Sequence, residues 1–144
     1  METQEDSVQT VAEQAGNQVK RILLLEDDVQ LSEIIRDFLI LYGYDVVSVY
    51  NGVEGVREII AGDFEVIVCD MMMPKLAGDM FYLAVERMRP HLCGRFIFIT
   101  GQHGNPKVIE FINKVGGIML AKPFPLNDLL DLAGFIRLRD LAIG

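Results

Sequence analysis

The sequence predicts an α/β fold built on a parallel sheet, and two observations predict it. Short apolar runs suited to strands buried on both faces alternate with longer segments whose apolar residues recur at helical spacing. Five such runs alternate with five such segments after residue 20, the pattern of a parallel sheet covered by helices on both faces. The 144 residues, 51% hydrophobic and 24% charged, suffice for one domain with a substantial core.

The first three strand and helix pairs follow one another closely. We predict strands at 22–25, 46–49 and 66–69 and helices at 31–39, 51–61 and 79–89. Asp28 is the expected N-cap of the first helix, because its short carboxylate can accept from an unpaired backbone N–H. Gly43 is expected to end that helix, and Pro90 to end the third.

The last two pairs continue the same alternation. We predict strands at 96–99 and 118–121 and helices at 106–115 and 125–140. Pro106 fits the first turn of the fourth helix, where its missing N–H has no partner to lose. Gly116 and Gly117 separate that helix from the fifth strand.

Residues 1–18 differ in composition from the remainder and are predicted to be an extension to a domain at 19–144. They carry four acids and no Lys or Arg. Their apolar residues fall at helical spacing with the first residue of the domain: Val8, Val11, Ala12, Ala15 and Val19. Both a short amphipathic helix and a flexible tail are compatible with this pattern.

Charge and composition exclude several functions. With 13 basic and 21 acidic residues the net charge is -8, which argues against direct DNA or RNA binding by bulk electrostatics. No apolar run is long enough for a transmembrane helix, and the acidic start is not a signal peptide. Cys69 and Cys93 form neither a disulfide framework nor a zinc-site spacing, so a reducing cytoplasm is expected.

Polar residues close four of the five predicted strands. They are Glu26 and Asp27 after the first, Asp70 after the third, Thr100 after the fourth and Lys122 after the fifth. Singly, each has an ordinary explanation as a helix cap, turn residue or solvated lysine. The carboxyl ends of parallel strands share one edge, however, so three carboxylates would meet one ammonium there. Such a surplus of negative charge predicts a hard divalent ion such as Mg²⁺.

These strand ends carry motifs that resemble the receiver domain of the two-component response-regulator family. The motifs are ILLLEDD at 22–28, VIVCDMMMP at 66–74, FIFITG at 96–101 and LAKPF at 120–124. The resemblance covers residues 20–140, and it is the order of the four motifs that makes it specific. It implies a flavodoxin-like, doubly wound (βα)5 fold with a five-stranded sheet of order 2-1-3-4-5.

The resemblance also implies a role for each matched position. Asp70 would be the phosphoryl acceptor. Mg²⁺, with Mn²⁺ as a substitute, would be bound by Glu26, Asp27, Asp70 and the backbone carbonyl of Met72. Thr100, the Gly101 amide and Lys122 would contact the phosphoryl group. The bond before Pro123 is expected to be cis, as is usual in the family.

The chain departs from the family pattern at some positions. Met119 stands three residues before Lys122, where an aromatic switch residue is common, so the switch either uses Met119 or lacks this part. Met72 stands where the family tunes access of water to the phosphoryl group, and its apolar side chain is expected to slow hydrolysis.

The function implied is a phosphorelay switch without independent enzyme activity beyond phosphorylation and dephosphorylation of itself. The expected partners are a histidine kinase or histidine phosphotransfer protein, and a downstream protein. Apolar residues around the fifth helix suggest a homodimer through helix 4, strand 5 and helix 5, with a well-covered helix as the alternative. A second interpretation is a receiver-like interaction module that is never phosphorylated.

Overall fold

The computed structural model describes residues 20–101 and 104–143. Its strands are β1 (Arg21–Leu25), β2 (Asp45–Val49), β3 (Val66–Asp70), β4 (Phe96–Thr100) and β5 (Ile118–Ala121). Its helices are α1 (Val29–Leu41), α2 (Gly52–Ala61), α3 (Gly78–Met88), α4 (Pro106–Lys114) and α5 (Leu126–Ile143). The predicted extension at 1–18 lies outside the described residues.

All five strands are parallel and lie in the order β2-β1-β3-β4-β5. The predicted fold class and strand order are therefore confirmed. The order reverses direction between β1 and β3, because the chain first adds β2 on one side of β1 and then β3, β4 and β5 on the other. In such a sheet the crevice for a ligand lies beyond the carboxyl ends of β1 and β3.

The core consists of two layers, one on each face of the sheet. Leu23 and Leu25 of β1 point into the layer that includes Ile59 of α2 and Phe81 of α3. The alternate residues of β1 point into the other layer, formed with α1 and α5. Strands β3 and β4 are buried throughout, whereas the edge strand β5 is half exposed.

Polar side chains cap the starts of α1, α2 and α4, and a glycine follows the end of α1. Asp28 is the N-cap of α1 and accepts a hydrogen bond from the backbone N–H of Leu31 at 3.2 Å, as predicted. Gly43 follows the end of α1 with a φ of 90°, a conformation that favours glycine. Asn51 and Asn105 cap α2 and α4 in the same way as Asp28 caps α1.

The largest differences from the sequence prediction are in the segment after α3 and at the end of α5. A 3₁₀ helix, Pro90–Arg95, stands where no element was predicted. Pro90 at its start cannot donate a hydrogen bond but adopts the required φ, so it ends α3 and begins the tighter turn. Helix α5 continues to Ile143 because no glycine or proline interrupts it after Gly134.

Both cysteines are free thiols. Cys69 is a fully buried residue of β3, and burial raises the pKa of its thiol. Cys93 lies in the 3₁₀ helix and is half-buried. Among residues 20–101 and 104–143, no helix combines the length and the apolar composition that crossing a membrane requires.

Candidate functional site

The carboxyl edge of the sheet brings most of the predicted site residues together. Leu25 is in register with Cys69, so Glu26 follows β1 at the level where Asp70 ends β3. Asp70 is in register with Ile99, the neighbour of Thr100 at the end of β4. The site is thus built by strand register, and the loops that follow complete it.

Three carboxylates lie close together at this edge of the sheet. One oxygen from each of Glu26, Asp27 and Asp70 lies within 4.8 Å of the others. Glu26 and Asp70 are buried, at 2% and 5% exposure, whereas Asp27 is exposed. Buried like charges at this separation repel one another, so the cluster requires a compensating cation.

Lys122 supplies part of that compensation. Its Nζ donates to Asp70 Oδ2 at 2.9 Å and lies 3.2 Å from both Glu26 carboxylate oxygens. Two backbone amides add to this: the N–H of Met72 donates to Asp70 Oδ1 at 2.9 Å, and that of Asp28 to Glu26 Oε1 at 3.3 Å. Asp70 therefore has a defined partner for each of its oxygens.

The electrostatics of the cluster appear in two pKa shifts. Burial, followed by the hydrogen bond and negative charge of Asp70, raises the pKa of Glu26 to about 8, although Lys122 opposes the shift. Burial lowers the pKa of Lys122, but the hydrogen bonds and charges of Asp70 and Glu26 outweigh it, so the net pKa is raised. The lysine therefore stays charged, while Glu26 holds a proton readily.

Thr100 and Gly101 lie at the same edge. Thr100 is 3% exposed, is in register with Ala121, and accepts through its carbonyl from the backbone N–H of Lys122 at 2.8 Å. This bond fixes the start of the Lys122 loop against β4. Gly101 is exposed, and a Cβ added there would meet no atom within 4 Å.

The remaining predicted positions are distributed around the cluster. Met72 is 67% exposed beside Asp70. The Lys122–Pro123 peptide bond is cis. Met119 lies on β5 in register with Phe98 and is 43% exposed, so it sits two register positions before the level of Thr100.

The loop between β3 and α3 contains a feature that the sequence did not signal. Lys75 and Leu76 have φ values of 55° and 124°, which are uncommon for residues with a Cβ. The loop lies tightly over the start of α2, where a Cβ on Gly52 would come within 2.4 Å of the Leu76 carbonyl oxygen. No glycine or asparagine occupies 75 or 76, so the usual sequence signal for this backbone conformation is missing.

The donor set fits a hard divalent cation. Its side chains offer carboxylate oxygens, and the exposed Asp27 has no hydrogen-bond partner within the described part of the chain, so its oxygens face solvent. One ammonium against three carboxylates leaves negative charge for a cation to neutralise. Such a site would also leave coordination positions open for water or for phosphoryl oxygens.

Comparison with known proteins agrees with this geometry. Residues 22–133 match the family model of the response regulator receiver domain, so the chain belongs to that family, which acts in two-component signalling. The chain is 30% identical over 110 residues to the transcriptional regulatory protein CrdR of Helicobacter pylori, covering 76% of this chain and 51% of that protein. It is 27% identical over 121 residues to the probable transcriptional regulator ycf29 of Pyropia yezoensis, covering 84% and 54%. The chain thus spans about half the length of the curated relatives it matches.

Solved structures show the same fold. A CheY-like response regulator receiver domain from Methanospirillum hungatei superposes with a TM-score of 0.80 at 24% identity, covering 88% of this chain and 99% of that one. A receiver domain from Clostridium thermocellum superposes with a TM-score of 0.77 at 26% identity, covering 86% and 98%. The match extends across nearly all of each receiver domain.

Proposed function

We propose that this chain is a phospho-accepting receiver in which Asp70 takes a phosphoryl group from a histidine kinase or phosphotransfer protein. The observation that carries the proposal is the environment of Asp70. Its carboxylate is buried, is held through both oxygens, and lies within 4.8 Å of two further carboxylates and 2.9 Å from an ammonium. This arrangement fixes a nucleophile and places positive charge where phosphoryl oxygens would arrive.

The transfer step balances without a further reactant. A carboxylate oxygen of Asp70 attacks the phosphorus of a phosphohistidine, and a new O–P bond forms as the P–N bond breaks. The other ring nitrogen of the phosphohistidine carries a proton, so the electron pair of the broken bond goes to the ring and the imidazole leaves neutral. Lys122 would stay protonated and neutralise phosphoryl oxygens, while Thr100 and the Gly101 amide would donate hydrogen bonds to them.

Glu26, Asp27, Asp70 and the backbone carbonyl of Met72 would hold Mg²⁺, with Mn²⁺ as a substitute. Bound there, the ion supplies positive charge that offsets the repulsion between the acidic cluster and an incoming phosphoryl group. The added phosphoryl charge would then alter contacts of the segment that follows Thr100 and change affinity for a downstream protein.

Two surfaces are suited to bind the proposed partner proteins. A groove of about 380 Å³ opens beside the acidic cluster and is lined by Leu31, Lys122, Pro123, Phe124 and Leu126. Its mostly apolar lining is suited to bind apolar side chains of the phosphoryl donor. Met119, Phe135 and Leu138 are exposed on β5 and α5, and we propose that this face contacts a second copy or the downstream protein.

Intact mass measurement tests the phospho-acceptor role. With Mg²⁺ and a small phosphoryl donor, the wild-type chain should gain the mass of one phosphoryl group, and Asp70→Asn should gain none. The matched control Asp131→Asn changes an exposed acid of α5 and should gain mass like the wild type. Equal gain in wild type and Asp70→Asn, or gain in neither, contradicts the proposal, and the latter result favours the non-phosphorylated interaction module.

The role of Met72 is a separate proposal. Its exposed apolar side chain beside Asp70 should hinder the water that hydrolyses the acyl phosphate. Met72→Asn should shorten the phosphoryl lifetime, and the control Met80→Asn, at a 52% exposed methionine of α3, should leave it unchanged. A wild-type half-life of seconds would count against this role.

A further inference from the structure

A cavity of about 250 Å³ opens at the amino edge of the sheet, the edge opposite to the acidic cluster. Phe96 at the start of β4 and Ile118 at the start of β5 line it, together with Gly94 of the 3₁₀ helix and Arg139 of α5. Thr100 ends β4 four residues after Phe96, so about 13 Å of strand separates this amino-edge cavity from the acidic cluster. A small molecule bound in the cavity would therefore not contact the phosphoryl site.

Two glycines keep the mouth of the cavity open. Gly94 and Gly116 both line the cavity and are exposed. A Cβ on Gly116 would meet no atom within 4 Å, and a Cβ on Gly94 would meet only the Arg139 guanidinium, at 3.6 Å. The mouth is thus free of neighbouring side chains other than Arg139, and a larger residue at position 94 would obstruct it.

The charge of the cavity wall is positive. Among the described residues that line the cavity, Arg139 is the one that is charged. The Tyr82 hydroxyl and the Cys93 thiol hydrogen-bond to each other in the wall, and burial raises the pKa of both groups, so both are neutral at about pH 7. Glu86 lies near these two groups, but it is exposed and does not line the cavity. The wall is therefore suited to an anion.

Arg139 has hydrogen-bond donors to offer such an anion. Its Nη2 donates to the Gly94 carbonyl, one bond from a group that has five N–H donors. Its Nε lies 3.8 Å from Asp140 Oδ1, beyond hydrogen-bond distance, whereas Asp140 Oδ2 lies 2.8 Å from Arg95 Nε. Asp140 is thus held mainly by Arg95, and the guanidinium of Arg139 can bind a second carboxylate.

The remainder of the wall is largely apolar and limits the size of a ligand. Val115 and Ile118 are half-buried, and the Phe96 ring packs edge-on against the Tyr82 ring with 5.1 Å between centroids. Sites for drug-sized ligands have volumes of about 300–1,000 Å³, so this cavity fits a smaller molecule. A guanidinium beside apolar side chains is suited to a carboxylate that is joined to a short apolar group.

We propose that the amino-edge cavity binds a small monocarboxylate with a compact apolar body, such as an aromatic acid. Arg139 binds the carboxylate, and Phe96, Val115 and Ile118 contact the apolar body. The bound molecule joins the 3₁₀ helix and α5 to the starts of β4 and β5. This site is separate from the phosphoryl site and does not depend on phosphorylation of Asp70.

Titration of the full chain with benzoate, followed by NMR spectra of the backbone amides, tests the proposal. The signals of Gly94, Gly116 and Gly117 should shift and should saturate at millimolar benzoate, the affinity expected of so small a ligand. Benzamide has nearly the same shape but no charge. It should bind at least about tenfold more weakly, because it cannot form charge-assisted hydrogen bonds with Arg139.

Two variants, each with a matched control, assign the binding to the cavity. Arg139→Gln should weaken benzoate binding at least about tenfold, and Arg36→Gln, at an exposed arginine of α1, should leave it unchanged. Gly94→Val should abolish binding by obstructing the mouth. Its control, Gly134→Val, adds the same side chain at a position of α5 where a Cβ would meet no atom, and it should bind like the wild type. If circular dichroism shows that one of the two test variants is unfolded, the other decides.

Three outcomes would overturn the proposal. Shifts of the wild-type signals that do not saturate mean that the cavity binds no carboxylate. Equal affinity for benzamide means that the charge of Arg139 is not used. Binding that survives both Arg139→Gln and Gly94→Val, or shifts confined to residues around Lys122, place the benzoate elsewhere. None of these outcomes affects the phospho-acceptor proposal, because the mass gain at Asp70 is measured separately.

Discussion

Replacing Lys122 with methionine should destabilise the protein by leaving two buried carboxylates without their shared cation. Lys122 Nζ lies 2.9 Å from Asp70 Oδ2 and 3.2 Å from both Glu26 oxygens. Methionine retains much of the apolar side chain, so the substitution removes charge rather than packing. Without metal, the expected result at about pH 8 is a lower free energy of unfolding.

The magnitude follows from the geometry. Unit charges 2.9 Å apart attract by about 6 kcal/mol at an effective dielectric constant of about 20, and desolvation of the ions offsets much of this. Breaking a buried ion pair costs about 3–5 kcal/mol, and since the Lys122 side chain is 31% exposed the lower end applies. We therefore expect a loss of about 3 kcal/mol, or roughly 9 °C in Tm.

Urea unfolding followed by circular dichroism, with chelator present, measures this loss. Lys107→Met removes an exposed lysine of α4 and should change stability by less than about 0.5 kcal/mol. The loss for Lys122→Met should shrink at about pH 6, where Glu26 is protonated in the folded state and only Asp70 stays uncompensated. An effect at pH 8 no larger than that of the control would refute the assigned role of Lys122.

Three further predictions concern the same region. Gly52→Ala should cost about 1–3 kcal/mol in urea unfolding, because its Cβ would lie 2.4 Å from the Leu76 carbonyl oxygen, whereas Gly134→Ala, with nothing within 4 Å, should not destabilise. Asp27→Asn should weaken Mg²⁺ binding in titration calorimetry but barely change the metal-free Tm, because Asp27 is exposed; an unchanged affinity would remove it from the ligand set. The pKa of Glu26 is about 8 in the folded chain against an ordinary value of 4.5, so folding takes up a proton and metal-free stability should fall as pH rises between these values. Saturating Mg²⁺ should reverse that fall, and a metal-free Tm that rises across this range would contradict the shift.

Much of the fold could be predicted because the spacing of the apolar residues and the positions of caps, glycines and prolines indicate the same elements along the chain. The apolar runs at 22–25 and 96–99 are long enough for a buried strand and too short for a helix, and a cap or glycine borders most helices. The Pro90–Arg95 segment escaped prediction because a proline marks where a helix ends but does not specify the turn that follows.

The sequence predicts which residues lie at the site, but it predicts only some of the contacts between them. That Glu26, Asp70 and Lys122 share an edge follows from parallel strands alone. The bidentate approach of Lys122 to Glu26 does not, because it depends on the loop that carries the lysine. The backbone of Lys75 and Leu76 is set by tertiary packing against Gly52, a contact that no local sequence signal encodes.

The burial of Cys69 gives this chain a built-in reporter. Its thiol lies in the middle strand, one residue before Asp70, with no exposed surface, whereas Cys93 is half-buried in the 3₁₀ helix. A thiol reagent can reach Cys69 only when β3 separates from its neighbours, so its labelling rate measures how often the strand that ends at Asp70 opens. Comparing that rate with and without Mg²⁺ would show how far an ion at the edge of the sheet stabilises its centre.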